Sequence, residues 1–105
     1  MTIEVEVFHR DCEVEDVDGA VRPLVVTFYT PMKNPNGDDY LARAHIGCSF
    51  FDKDVYGTGE DAAQAFFALP IVVVSYLIGQ RRAGFEAYWS EKGDLDYQDF
   101  WTYRQ

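Results

Sequence analysis

The chain has 105 residues, 48% of them hydrophobic and 16% aromatic, and a formal net charge of −9. That length suits one domain, 1–105, whose core needs neither disulfide nor metal, and the composition excludes disorder over most of the chain. The charge excludes electrostatic attraction to nucleic acid or to an anionic membrane, and it favours a basic protein partner.

The first strand is expected from Ile3, Val5 and Val7, which alternate with Glu4 and Glu6 and would share one buried face. The strand should continue through Glu13, Val14 and Glu15, with acids on its outer side. Seven carboxylates stand against Arg10 alone within residues 1–20, a local balance of −6. Residues 85–105 hold five acids and two bases, and residues 21–84 hold six of each. The acid is therefore concentrated toward the two ends. Residues 2–20 contain no apolar targeting run, so a cytoplasmic location is expected.

Asp18-Gly19 marks a hairpin turn. The returning strand, Ala20–Thr30, places Leu24, Val26 and Phe28 on one face and Val25, Thr27 and Tyr29 on the other. Pro31–Asp39 has loop composition. A third strand over Tyr40–Phe51 should turn Tyr40, Ala42, Ala44, Ile46, Cys48 and Phe50 to the core. Asp52–Gly59 has the composition of a turn leading into a helix.

The longest apolar stretch follows. Glu60 and Asp61 favour a helix N-terminus, Thr58 stands three residues before Asp61 as in a capping box, and Gly84 is a suitable stop beyond Arg81 and Arg82. Only Gln64 and Ser75 interrupt Ala62–Ile78, so this helix should be covered on more than one side. Pro70 predicts a kink. Its rival is a strand over residues 71–78, since Ile71-Val-Val-Val74 is strand-like. The uncharged run is slightly short for a membrane span. Phe85–Trp89 can add a strand, and Ser90–Asp94 reads as a turn. The aromatic tail, with Tyr97, Phe100, Trp101 and Tyr103, should pack on the helix or on a partner.

The order of strands, apolar helix, Tyr88-Trp89 strand and Gly93-Asp94-Leu95 resembles a family of small uncharacterised bacterial domains. Its members show a β-meander, a helix after a Gly-rich turn, and a tryptophan strand followed by Gly-Asp-Leu-Gly-Phe. Asp96 and Tyr97 replace the last two residues here. The resemblance covers about residues 1–97 in pattern; it implies the order of elements and no activity.

Two H-x-x-C pairs, His9/Cys12 and His45/Cys48, supply zinc-ligand types. Within a regular strand, residues three apart point to opposite faces, so neither pair can chelate without a bend. The same geometry opposes a Cys48–His45 nucleophile pair. Asp52-x-Asp54 and the acids after Asp94 do not match an EF-hand. Neither cofactor nor metal is expected, and the two cysteines should be free thiols.

The fold expected is thus α+β: an antiparallel sheet of three to four strands packed on one long, kinked helix. The function expected is a non-catalytic acidic domain that binds a basic protein through Glu4, Glu6, Glu13, Glu15, Asp16 and Asp18. Immunity-like neutralisation of a basic toxin or nuclease is one form of this. The alternatives are a small enzyme using His45 with nearby carboxylates, and a self-associating structural subunit. A homodimer through the helix or the aromatic tail is expected in addition.

Overall fold

The computed structural model describes residues 4–101, except for the side chains of Tyr97 and Trp101. The fold is α+β. Its strands are β1 (Glu6–Glu15), β2 (Val21–Tyr29), β3 (Met32–Lys33), β4 (Tyr40–Gly47), β5 (Asp52–Gly59) and β6 (Glu86–Tyr88). All pairings are antiparallel. β2 and the two-residue β3 lie along the same edge of β4, β5 lies along the other, and β1 joins β2 to β6. The sheet is a curled meander closed by a short strand that returns after the helix.

Strand alternation sets the core. Leu24, Val26, Phe28, Ala42, Ala44 and Ile46 are buried on one face, as their period of two predicts. Fully burying a side chain such as Leu24 or Phe28 contributes about 1.5–3 kcal/mol. The β1–β2 turn also forms where Asp18-Gly19 places it. Gly19 takes a positive φ of 84°, and the Asp16 carboxylate accepts the backbone N–H groups of Asp18 and Ala20, both at 2.9 Å.

Several expectations are corrected. The sheet has six strands among the described residues rather than three or four, because Asp52–Gly59 is a strand and not a turn, and because Met32–Lys33, within the expected loop Pro31–Asp39, pairs with β4. The one buried apolar residue of β5 is Val55, which hides the alternation. The space beside Val55 belongs to the helix. A Cβ on Gly57 would collide with the Ala65 carbonyl, and one on Gly59 with the Gln64 side chain.

The second correction concerns the start of β1. Val5 and Val7 are 54% and 49% exposed, and Phe8 packs against the core instead. Glu6 pairs with Tyr29 but Phe8 pairs with Phe28, so one extra residue bulges between them and reverses the alternation. Phe8 then stacks on Phe28 with ring centroids 4.7 Å apart. Ile3 and Tyr103 lie outside the described residues.

One helix spans Ala62–Ala83, built as α1 (Ala62–Phe67), α2 (Leu69–Gly79) and a 3-10 turn at Gln80–Ala83. Residues 71–78 are helical, not extended. The regular ladder breaks at Ala68, where Pro70 has no N–H to offer the carbonyl four residues before it. The cap is Asp61 rather than Thr58. Its carboxylate accepts the Gln64 N–H at 2.8 Å, and the Gln64 side chain accepts the Glu60 N–H at 2.8 Å. Gly84 ends the helix with φ 93°.

The third correction concerns coverage. Ala65, Leu69, Val73 and Leu77 form one buried stripe against the sheet. Phe67, Ile71 and Ile78 on the opposite side remain 62%, 53% and 46% exposed. The helix is therefore covered over a broad side, with Pro70 buried and Phe66, Val72, Val74 and Tyr76 partly buried against the core, and it is open along Phe67, Ile71 and Ile78. The C-terminal segment does pack inward: Phe100 is fully buried, with its ring 5.7 Å from Phe28 and 4.8 Å from Trp89.

Candidate functional site

The face of the sheet away from the helix carries the charge. Beyond the bulge, His9, Asp11, Glu13 and Glu15 alternate outward from β1, while Cys12 and Val14 turn inward. Glu6 pairs with Tyr29 on this same outer side. Glu4 also reaches it, since its carboxylate accepts from Arg43 of β4. Uninterrupted alternation would send Glu4 and Glu6 to one face and Glu13 and Glu15 to the other. The bulge unites them.

The centre of this face is a chain of ion pairs. Arg43 lies with its guanidinium carbon 3.9 Å from the Tyr29 ring centroid. Its Nη2 is 2.7 Å from Glu4 Oε1 and its Nη1 is 2.9 Å from Asp54 Oδ1. His45, directly opposite Asp54 in the β4–β5 pairing, has Nδ1 2.7 Å from the same Oδ1. Its Nε2 is 2.9 Å from Asp52 Oδ1. The run Glu4–Arg43–Asp54–His45–Asp52 thus crosses from the N-terminal segment to β5.

The electrostatics follow from those contacts. The His45 bond is the largest influence on Asp54 and holds its carboxyl below the usual range; partial burial opposes this, and Arg43 adds to it. The Glu4 bond, then that of Asp54, raises the Arg43 guanidinium further against the cost of desolvation. Both ring nitrogens of His45 face carboxylates. Only the imidazolium donates through both at once, and a neutral ring donates through one.

The remaining predicted partner-binding residues are dispersed around this centre. Glu15 is paired with Lys92. Glu13 lies opposite Tyr88 of β6, whose hydroxyl is pushed up by burial first and by its bond to Glu13 second. Glu6 is 3.5 Å from His9 at an exposed position. Asp16 holds the β1–β2 turn together, and Asp18 is exposed beside it. Four of the six predicted acids, Glu4, Glu6, Glu13 and Glu15, therefore share the outer face with Asp11, whereas Asp16 and Asp18 belong to the turn.

The His9/Cys12 coincidence dissolves in three dimensions. His9 is exposed and Cys12 is buried, on opposite faces of β1. Burial, reinforced by Asp11 and Asp94, pushes the Cys12 thiol up to about 12. Among the described residues no group of three or more His, Cys, Asp or Glu is arranged to hold a metal ion. Asp94 has a local role. Its carboxylate accepts the backbone N–H groups of Trp89, Ser90 and Glu91 at 2.7–3.0 Å. Desolvation works to raise this carboxyl, and the three N–H groups with the Ser90 hydroxyl outweigh it and hold it low.

A cavity of about 340 Å³ lies elsewhere, between the β1–β2 turn and the end of the helix, lined by Glu15, Asp16, Arg81, Phe85, Glu86 and Lys92. His45 does not line it. Asp52 and Asp54 were visible in the sequence only as turn acids. Recognising β5 would have placed Asp54 opposite His45.

The chain matches no protein-family model, no curated protein and no solved structure.

Proposed function

We propose that this is a non-catalytic binding domain that offers the outer face of its sheet to a basic protein. The observation that carries the reading is the β1 bulge, which gathers Glu4, Glu6, Asp11, Glu13 and Glu15 onto one side of the molecule. Across β4, Asp52 and Asp54 of β5 add two further carboxylates, held there by Arg43 and His45. Val25, Thr27 and Tyr29 of β2 lie between these two acidic flanks. Neutralisation of a basic toxin or nuclease is the form of binding that this charge serves best.

The geometry at His45 supports binding over acid–base chemistry. Both of its nitrogens face carboxylates of β5, Nδ1 at 2.7 Å from Asp54 and Nε2 at 2.9 Å from Asp52. The test uses a basic partner recovered by affinity purification from the source cells. Asp11→Lys with Glu13→Lys should slow its association at low salt and flatten the salt dependence, with circular dichroism unchanged. An association rate indifferent to that double reversal defeats the proposal.

A further inference from the structure

The helix carries a second surface, separate from the acidic one. Phe67, Ile71, Val74 and Ile78 follow one another at spacings of four, three and four residues, a coiled-coil seam on the side away from the sheet. Phe67, Ile71 and Ile78 are large apolar side chains roughly half exposed, and Val74 between them is partly buried at the margin of the core. Only 28% of the most apolar window of this helix is buried. Ala63 begins the stripe and Arg82, four residues beyond Ile78, ends it; both are exposed.

We infer that this stripe is covered by the same stripe of a second copy of the chain, with the two helices antiparallel. Three observations select that occupant. First, no charged residue occurs from Ala62 to Gln80, so the stripe meets itself without repulsion, although the whole chain carries −9. Second, a two-fold axis midway between Ile71 and Val74 sets Phe67 against Ile78 of the second copy and Ile71 against its Val74. The pattern is self-complementary, as an isologous interface requires.

Third, the ends of the helix have opposite charge. Glu60 and Asp61 stand at its start, and Arg81 and Arg82 at its finish, all exposed. The same axis sets Arg82 opposite Ala63 of the second copy, three residues from its Glu60. At about 1.5 Å of rise per residue that offset lies within the reach of an arginine side chain. Among the described residues Arg82 forms no ion pair within its own chain. A membrane surface is the poorer occupant, because an interfacial helix carries a rim of lysine and arginine along its length and this one has none between its ends.

Sedimentation equilibrium of the full chain at about 50 μM, a concentration that populates micromolar complexes, reads the result. The wild type should be a dimer. Ile71→Glu, at an exposed position that the monomer tolerates, should be monomeric with unchanged circular dichroism. Arg82→Glu should weaken the dimer several-fold, and Glu60→Arg combined with Arg82→Glu should restore it. A monomeric wild type, a dimer indifferent to Ile71→Glu, or failure of the double reversal to restore association overturns the inference. So does co-sedimentation with phosphatidylcholine–phosphatidylglycerol vesicles that depends on Ile71.

Discussion

Gly57 of β5 faces the backbone of Ala65 so closely that a Cβ added to the glycine would collide with the alanine carbonyl oxygen. The near side of that contact is a strand and the far side is the first turn of the helix. Neither backbone can yield without lifting α1 from the sheet. Gly57→Ala should therefore destabilise the fold by about 1–3 kcal/mol, the usual cost of overpacking, despite the better strand propensity of alanine. Urea denaturation with an unchanged m-value is the check, and a stabilised variant would contradict the close approach.

The two thiols should differ sharply. Cys12 is buried and its thiol is pushed up to about 12, whereas Cys48 is partly exposed in the β4–β5 connection. A thiol-reactive disulfide reagent near pH 8 should label one cysteine in the native protein and the second only as the chain unfolds. Peptide mapping should assign the fast site to Cys48. Rapid native labelling of Cys12 would show that the strand opens locally.

Asp54 makes acid stability depend on the charge network. Its folded carboxyl is held below the ordinary value of 3.8, chiefly by His45. The folded state thus binds its proton less readily than the unfolded state does. The stabilisation is fully present above the unfolded value and is lost as pH falls through the lower folded value. Asp54→Asn should be less stable than wild type at pH 6, and the difference should shrink as the solution is brought below 3.8. Denaturation midpoints at several pH values measure it. A difference that stays constant with pH would remove the ionic contribution.

Asp94 should prove structural. Its carboxylate gathers three N–H groups and the Ser90 hydroxyl in the turn after β6. Asp94→Ala leaves those donors to water and should cost about 1–3 kcal/mol. Trp89 leads into this turn and its ring contacts Phe100, so its fluorescence should shift to the red in the variant. Asp94→Asn retains an acceptor oxygen and should fall between the two.

The sequence exposed those parts of the fold in which one residue type recurs at a fixed period. Leu24, Val26 and Phe28 identified their face, as did Ala42, Ala44 and Ile46, because each strand buries one side and the alternation is unbroken. Gly84 announced the helix end because only a residue without a Cβ adopts its φ of 93° cheaply. β5 was hidden because its inward positions are Val55 and Gly57, and the glycine answers to a helix that is remote in sequence. The bulge after Glu6 was equally hidden, since Val7 suits either face and only the pairing with β2 shows which residue is extra. The outer-face network depends on both. Glu4 meets Arg43 across 39 positions, and His45 meets Asp54 only through the β4–β5 pairing.

Phe100 has a consequence for the order of events during synthesis. Its fully buried ring lies between Phe28 and Trp89, and its carbonyl accepts a bond from Arg10, ninety positions earlier. β6 likewise pairs with β1 from the far side of the helix. The meander of β1 to β5 can emerge from the ribosome and pair locally. It cannot exclude water from Phe28 until residue 100 has also left the exit tunnel. Nascent chains should therefore stay protease-sensitive until residue 100 has emerged and then become resistant in one step, so that a chaperone meets an open sheet rather than a half-finished globule.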